Sequence, residues 1–257
     1  MKHSRGIFAL TSALALCLSA CTVTVEARSS GSSPSPAGGG SVGSSTPSPA
    51  PTPAQTSPAG AVATSDLANI LARADYPSGI DLQVIPSITL NKALSQAKNL
   101  LKGVKTDPEV CAELTQTAMS RSTSGFNLAV AISEPTKSPQ ISVGLLSSAD
   151  PSALDRQISD DKAQVTLCKT ATMTVQGVTI SLKAVEVSSA TRLPGAYSYA
   201  TTMTLPGRAP QVTVQTTAVV SGLMVRASVI GDDATQGASE AGQLVDAVAA
   251  AVTGPNS

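Results

Sequence analysis

The chain has 257 residues, with 17 Lys and Arg balancing 17 Asp and Glu, four cysteines, one histidine and 2% aromatic residues. Basic residues scattered singly give no cationic patch, which argues against nucleic acid as a partner. The one histidine stands at position 3, so the chain beyond it has no imidazole for Ser-His-Asp or Cys-His nucleophilic schemes, nor for most zinc sites.

Lys2, His3 and Arg5 make a cationic start, residues 6–18 an apolar run, and the small residues Ser19 and Ala20 precede Cys21, which is the layout of a secretory signal. The apolar run is too short to cross a bilayer, which takes roughly 20 residues. Leu18, Ser19, Ala20 and Cys21 resemble the lipobox of bacterial lipoproteins, in which the cysteine is acylated on sulfur and becomes the new N-terminus. The resemblance implies a signal peptide over 1–20, a diacylglyceryl thioether and a further palmitate-type chain on Cys21, and attachment to the cell membrane on its extracytoplasmic side. One acyl chain binds a bilayer marginally, whereas two or three bind it stably. The alternative is an ordinary secretory signal with Cys21 incidental.

Loss of the leader removes Cys17, and acylation occupies Cys21. Cys111 and Cys168 remain, and a cysteine pair in an oxidising compartment reads as a disulfide. Closing so long a loop contributes roughly 4 kcal/mol in the chain-entropy account. Loss of Lys2 and Arg5 leaves 15 basic residues against 17 acidic ones.

Residues 21–65 read as a tether. From Ser29 to Ser65 there is no charge, only a Ser, Pro, Gly, Ala and Thr-rich stretch that cannot bury a core. About 37 such residues reach roughly 30–35 Å as a coil, and further where proline stiffens them. Gly39 to Gly43 matches G-x-S-x-G, but that motif needs a strand before it and a helix after it.

The body, residues 66–257, is one domain's worth of chain. Leu67 to Leu71 form a short helix capped by Ser65, and Tyr76 to Gly79 turn into an extended piece from Leu82 to Ile85. Leu90, Ala93, Leu94, Ala97, Leu100 and Leu101 recur at helical spacing, and Asp107-Pro108-Glu109 starts a second helix through Cys111 to about Met119. From Phe126 the period becomes two. Residues 126–133 and 140–145 pair as antiparallel strands, Asp150-Pro151 opens a helix through Ile158, and strands follow at 164–169, 172–175, 178–187, 197–205, 212–220 and 223–230. A last helix starts at Asp232 or Asp233 and buries Ala241, Leu244, Val245, Val248, Ala249 and Val252. Helices grouped before and after runs of strands give an α+β class, one antiparallel sheet flanked by helices.

Candidate chemistry is sparse. Ser95-Gln96-Ala97-Lys98 matches S-x-x-K, the nucleophile motif of penicillin-binding enzymes, yet S-D-N and K-T-G are absent, and both residues fall on the solvent side of a helix. Asp160-Asp161 and Asp232-Asp233 lack the alternating spacing of a calcium loop and read as helix-end caps. No metal site and no cofactor is called for. Tyr197 and Tyr199 point the same way from one strand, as a surface pair or as one wall of a cleft.

The lipobox, the Pro/Ser/Gly tether, the remaining cysteine pair, and the run Thr213 to Ile230 before an Ala/Val-rich final helix resemble mycobacterial-type envelope lipoproteins. In these the body is similar to the extracellular sensor domain of a membrane serine/threonine kinase. The resemblance implies an antiparallel sheet flanked by helices, disulfides, and a cleft for a ligand. It carries no individual functional residue across, and this chain has one cysteine pair where two are expected. The expectation is a membrane-anchored, non-catalytic ligand-binding or sensor module whose ligand is a small molecule, lipid or protein. A lipid or glycolipid carrier with an apolar cavity and a hydrolase using Ser95 and Lys98 are the alternatives.

Overall fold

Period-two alternation in the second half of the chain builds one antiparallel sheet of nine strands, in a computed structural model that describes residues 60–254 except 102, 123, 124 and 176. The expected leader, Cys21 and the expected tether as far as residue 59 lie outside the described residues. The strands are β1 (Gln83–Val84), β2 (Lys105–Asp107), β3 (Phe126–Ile132), β4 (Gln140–Ser148), β5 (Thr170–Val175), β6 (Val178–Glu186), β7 (Tyr197–Thr204), β8 (Gln211–Val220) and β9 (Leu223–Gly231). The helices are α1 (Thr64–Arg73), α2 (Ser87–Leu101), α3 (Glu109–Ser122), α4 (Ser152–Leu167) and α5 (Ala234–Thr253). Across the sheet the order is β1-β3-β4-β9-β8-β7-β6-β5-β2. Strands β5 to β9 form a meander, and the β3–β4 hairpin joins it on β9, with Ser142 opposite Ser228 and Gly144 opposite Arg226.

Three connections cross the sheet: α2 takes the chain from edge strand β1 to edge strand β2, α3 brings it back to β3, and α4 joins β4 to β5. Helix α4 leaves β4, returns at β5 five inter-strand steps away, and must lie across the sheet to do so. Its 16 residues at about 1.5 Å each cover about 24 Å, which is also about five steps of 4.8 Å. At the far end the Cys111–Cys168 disulfide joins the C-cap of α4 to the first turn of α3.

Alternate residues of the central strands face opposite helix layers. Leu223, Val225, Ala227 and Val229 of β9 pack with Ile141, Val143 and Leu145 of β4 against α1 and α5. Met224 of β9 and Leu146 of β4 pack with Leu90 and Leu154 on the side of α2 and α4. Strand β9 is therefore buried along its length, whereas β6 alternates exposed and buried residues because one of its faces is open. Helix α5 starts on Asp233, whose carboxylate accepts from the Thr235 and Gln236 amides at 2.7 and 2.9 Å. No helix among the described residues is long and apolar enough to cross a membrane.

Several local expectations change. Helix α1 begins at Thr64 with Ala63 in the cap position, so Ser65 lies inside the helix. Asp107 ends edge strand β2, paired with Thr172 of β5, and the following helix starts at Glu109. Residues 164–167, expected as a strand, are the last turn of α4, with Cys168 capping it. The helical stripe continues through Leu154, Gln157, Asp161 and Val165; its two polar members hide the periodicity.

Small residues let α5 lie flush. A Cβ on Gly242 would stand 2.8 Å from the Ala190 carbonyl carbon and the Thr191 nitrogen, and one on Gly237 would stand 2.8 Å from a Val214 methyl. The Thr191 hydroxyl and the Arg192 amide donate to the Asp246 carboxylate, strapping the β6–β7 loop onto the helix. Alanine gains up to about 1 kcal/mol of helix propensity over glycine, but overpacking against a fixed backbone costs about 1–3 kcal/mol. Gly242→Ala should therefore lower stability in urea unfolding, and Gly237→Ala should lower it less, because Val214 presents a side chain in place of a main chain. An unchanged or raised midpoint for Gly242→Ala would mean that the loop does not rest on the helix.

Candidate binding site

Three segments from different parts of the chain converge at one end of the β3–β4 hairpin. The loop between α1 and β1 supplies Pro77 to Asp81, the hairpin turn supplies Ser133 and Lys137 to Pro139, and α5 supplies Glu240 and Gln243. Together with Ile141 they line a partly open cleft of about 430 Å³, within the size range of small-molecule sites. The walls are held from behind. The Tyr76 hydroxyl donates to the Leu71 carbonyl at 2.9 Å, and burial raises its pKa well above the ordinary tyrosine value, so it remains a donor. The Ile80 amide donates to the Pro77 carbonyl at 3.1 Å across Gly79, whose φ of 86° suits glycine. At the cleft floor, Ser133 and Ile141 close the hairpin through two 2.9 Å bonds from their amides, one to the Ile141 carbonyl and one to the Ser133 hydroxyl.

Asp81 and Lys137 are exposed on the rim. Glu240 is half-buried. Its Oε1 accepts from the Gln236 side chain at 2.8 Å, while Oε2 is shielded from solvent and has no hydrogen-bond partner among the described residues.

A second polar cluster lies under α4. Asp161 projects from the middle of that helix onto the Arg226 guanidinium, which rises from the centre of β9; the two are 5% and 3% exposed. Gln157 donates to Asp161 at 3.2 Å, and Arg226 Nε donates to the Thr217 hydroxyl at 3.3 Å. In the next row of the sheet stand Tyr199, Gln215, Ser228 and Ser142, in register across β7, β8, β9 and β4. The Gln215 amide and the Ser228 hydroxyl make no hydrogen bond among the described residues. Burial raises the Asp161 pKa, and the Arg226 charge pulls the other way. Tyr197 and Tyr199 stack with centroids 5.8 Å apart, and Lys162 sits 5.3 Å above the Tyr197 ring. Burial, with Glu186 and Asp161 nearby, pushes the Tyr197 phenol up to about 12 and Tyr199 higher still. Neither phenol exchanges a proton near neutral pH.

The residues singled out in the sequence do not meet at either place. Ser95 is exposed on α2, its hydroxyl donating to the Asn91 carbonyl at 2.9 Å in its own helix. Asp233 caps α5 as expected, but Asp160 and Asp161 lie mid-helix and cap nothing, because α4 runs on past them to Leu167. The tyrosine pair is buried beneath α4 and lines no open surface. Among the described residues no three His, Cys, Asp or Glu side chains are grouped to hold a metal. Cys21 lies outside the described residues. The cleft residues left no signal in the sequence, since Asp81, Lys137 and Glu240 are far apart along the chain. Arg226 did leave one: it is the single charge in the strand Leu223–Gly231.

These features define a helix-covered α+β domain with a polar cleft at one end of its sheet. No protein-family model and no curated protein matches the chain. Among solved structures the chain is similar to the extracellular domain of PknH from Mycobacterium tuberculosis, at 12% identity over 73% of this chain and 90% of that one, with a TM-score of 0.44. It is also similar to an uncharacterised protein from Mycobacterium smegmatis, an Rv0999 ortholog, at 19% identity over 58% of this chain and 76% of that one, with a TM-score of 0.36.

Removing one partner of a buried ion pair strands the other charge, at a cost of about 3–5 kcal/mol, whereas replacing both with apolar residues of similar size is often neutral. Arg226→Met should lose about that much stability at pH 7, and Asp161→Leu with Arg226→Met should recover most of it in urea titrations. The sign with pH follows from the raised Asp161 pKa. A carboxyl raised in the fold above its ordinary 3.8 contributes fully below that value, and the contribution is lost as pH rises through the folded pKa. Arg226→Met removes the charge that opposes this rise, so its deficit should shrink on acidification toward pH 4. A deficit that is constant with pH would show that Asp161 is not the group left stranded.

Proposed function

We propose that this protein is a membrane-anchored cell-envelope lipoprotein, acylated on Cys21, whose folded domain is a non-catalytic binding or sensor module on the extracytoplasmic side. The observation that carries the binding reading is the cleft: three chain segments, each braced by hydrogen bonds, enclose about 430 Å³ and line it with charges. Loops positioned on a rigid sheet are where binding residues concentrate. The Cys111–Cys168 disulfide supports export to an oxidising compartment, and Leu18 to Cys21 supports attachment there.

The same cleft disfavours a lipid carrier. A diacyl chain needs an enclosed apolar cavity, and this cleft is open and edged by Ser78, Asp81, Lys137 and Glu240. Leu67, Leu71, Leu145 and Leu244 are fully buried and packed together between the sheet and its two covering helices. A Ser-Lys hydrolase fares no better, with Ser95 exposed and bonded back into α2.

Metabolic labelling with an alkyne fatty acid should mark the wild-type protein and leave Cys21→Ala unmarked and released from the membrane fraction. Equal labelling of both would overturn anchoring through Cys21.

A further inference from the structure

Resting on the reading of the cleft as the binding site, we infer that its ligand is a compact zwitterion, an amino acid or short peptide with a free ammonium and a free carboxylate. Glu240 and Asp81 receive the ammonium and Lys137 receives the carboxylate. The three charges come from three different walls: Asp81 from the α1–β1 loop, Lys137 from the hairpin turn, Glu240 from α5. Among the described residues none of them is in an ion pair within 4.0 Å, whereas Arg156 pairs with Asp150, Arg192 with Asp246 and Arg226 with Asp161.

Glu240 is the most demanding of the three. Gln236 pins one carboxylate oxygen at 2.8 Å, and the other is buried with no donor among the described residues. With its oxygens held this way the carboxylate is fixed in the cleft wall, and an ammonium in the cleft supplies the opposite charge. A simple anion would meet two carboxylates in the cleft, and a simple cation would meet Lys137, whereas a zwitterion complements both signs. Ile80, Ile141 and Pro139 give its short apolar body a surface to lie on.

The test is isothermal titration of the full-length acylated protein in detergent micelles with the dipeptide Ala-Ala, its N-acetyl form and its C-terminal amide. Wild type should bind Ala-Ala, and acetylation should weaken binding about tenfold or more, the usual worth of a charge-assisted hydrogen bond. Glu240→Gln should weaken Ala-Ala by a similar factor and leave the acetylated peptide no weaker than in wild type. Lys137→Met should show the matching pattern with the amide. Ser78→Trp, a substitution at an exposed position on the cleft mouth, should abolish binding while the thermal melt stays that of wild type.

If all three compounds bind equally and Ser78→Trp removes them all, the cleft is a binding site and the assignment of charges is overturned. If none binds at millimolar concentration, the assignment is overturned as well. If Ser78→Trp leaves binding unchanged, the cleft itself is not the site.

Discussion

The structure depends on how its sheet is crossed: α2 and α3 carry the chain from one edge to the other and back, and α4 makes the last crossing. The hairpin β3–β4 and the meander β5 to β9 are each local, built from neighbours in sequence, but the sheet joins them at β4 and β9, leaving β4 and β5 far apart. A connection between them must span the sheet, and α4 does so because its length equals the width it crosses. A helix one turn shorter would not reach β5 without an extended bridge over the open face. The disulfide at Cys168 fixes the end of the crossing to α3, which follows edge strand β2, so the long-range step is closed covalently as well as by packing.

That crossing also explains a charge in the core. A helix lying across strands presents its inner residues to several of them in turn, here from Leu154 near β4 to Val165 near β6 and β7. Midway along, Asp161 meets Arg226. An apolar pair at this position would pack in many azimuths of the helix, whereas a guanidinium and a carboxylate that must find each other admit few. Buried ion pairs contribute little net stability; this one ties the middle of α4 to the centre of β9.

Much of this was legible from residue pattern. Alternation in 126–133 and 212–230 located the central strands, and Asp233 announced α5, because short-range periodicity and capping chemistry are local. What misled was polarity in buried places. Gln157 and Asp161 break the apolar stripe of α4, so its last turn read as strand and Asp160-Asp161 read as a cap. β2 went unseen because Lys105, Thr106 and Asp107 carry no alternation; its pairing with β5 is set by the tertiary fold. The cleft was invisible for a stronger reason: it gathers a loop, a hairpin turn and a helix that only the tertiary fold brings together.

The place of the cleft bears on how a tethered module would work. The chain enters the fold at Val62, whose amide donates to the Ser147 hydroxyl at 2.8 Å and whose carbonyl accepts from the Asn127 side chain at 2.7 Å. Both contacts lie at one end of the β3–β4 hairpin, and the cleft, floored by Ser133 and Ile141, lies at the other. Strand β3 has 7 residues, which at about 3.4 Å each put more than 20 Å between entry and cleft. The opening therefore stands at the end of the hairpin opposite Val62. If Cys21 anchors the chain as proposed, that separation lets the opening face away from the lipid headgroups.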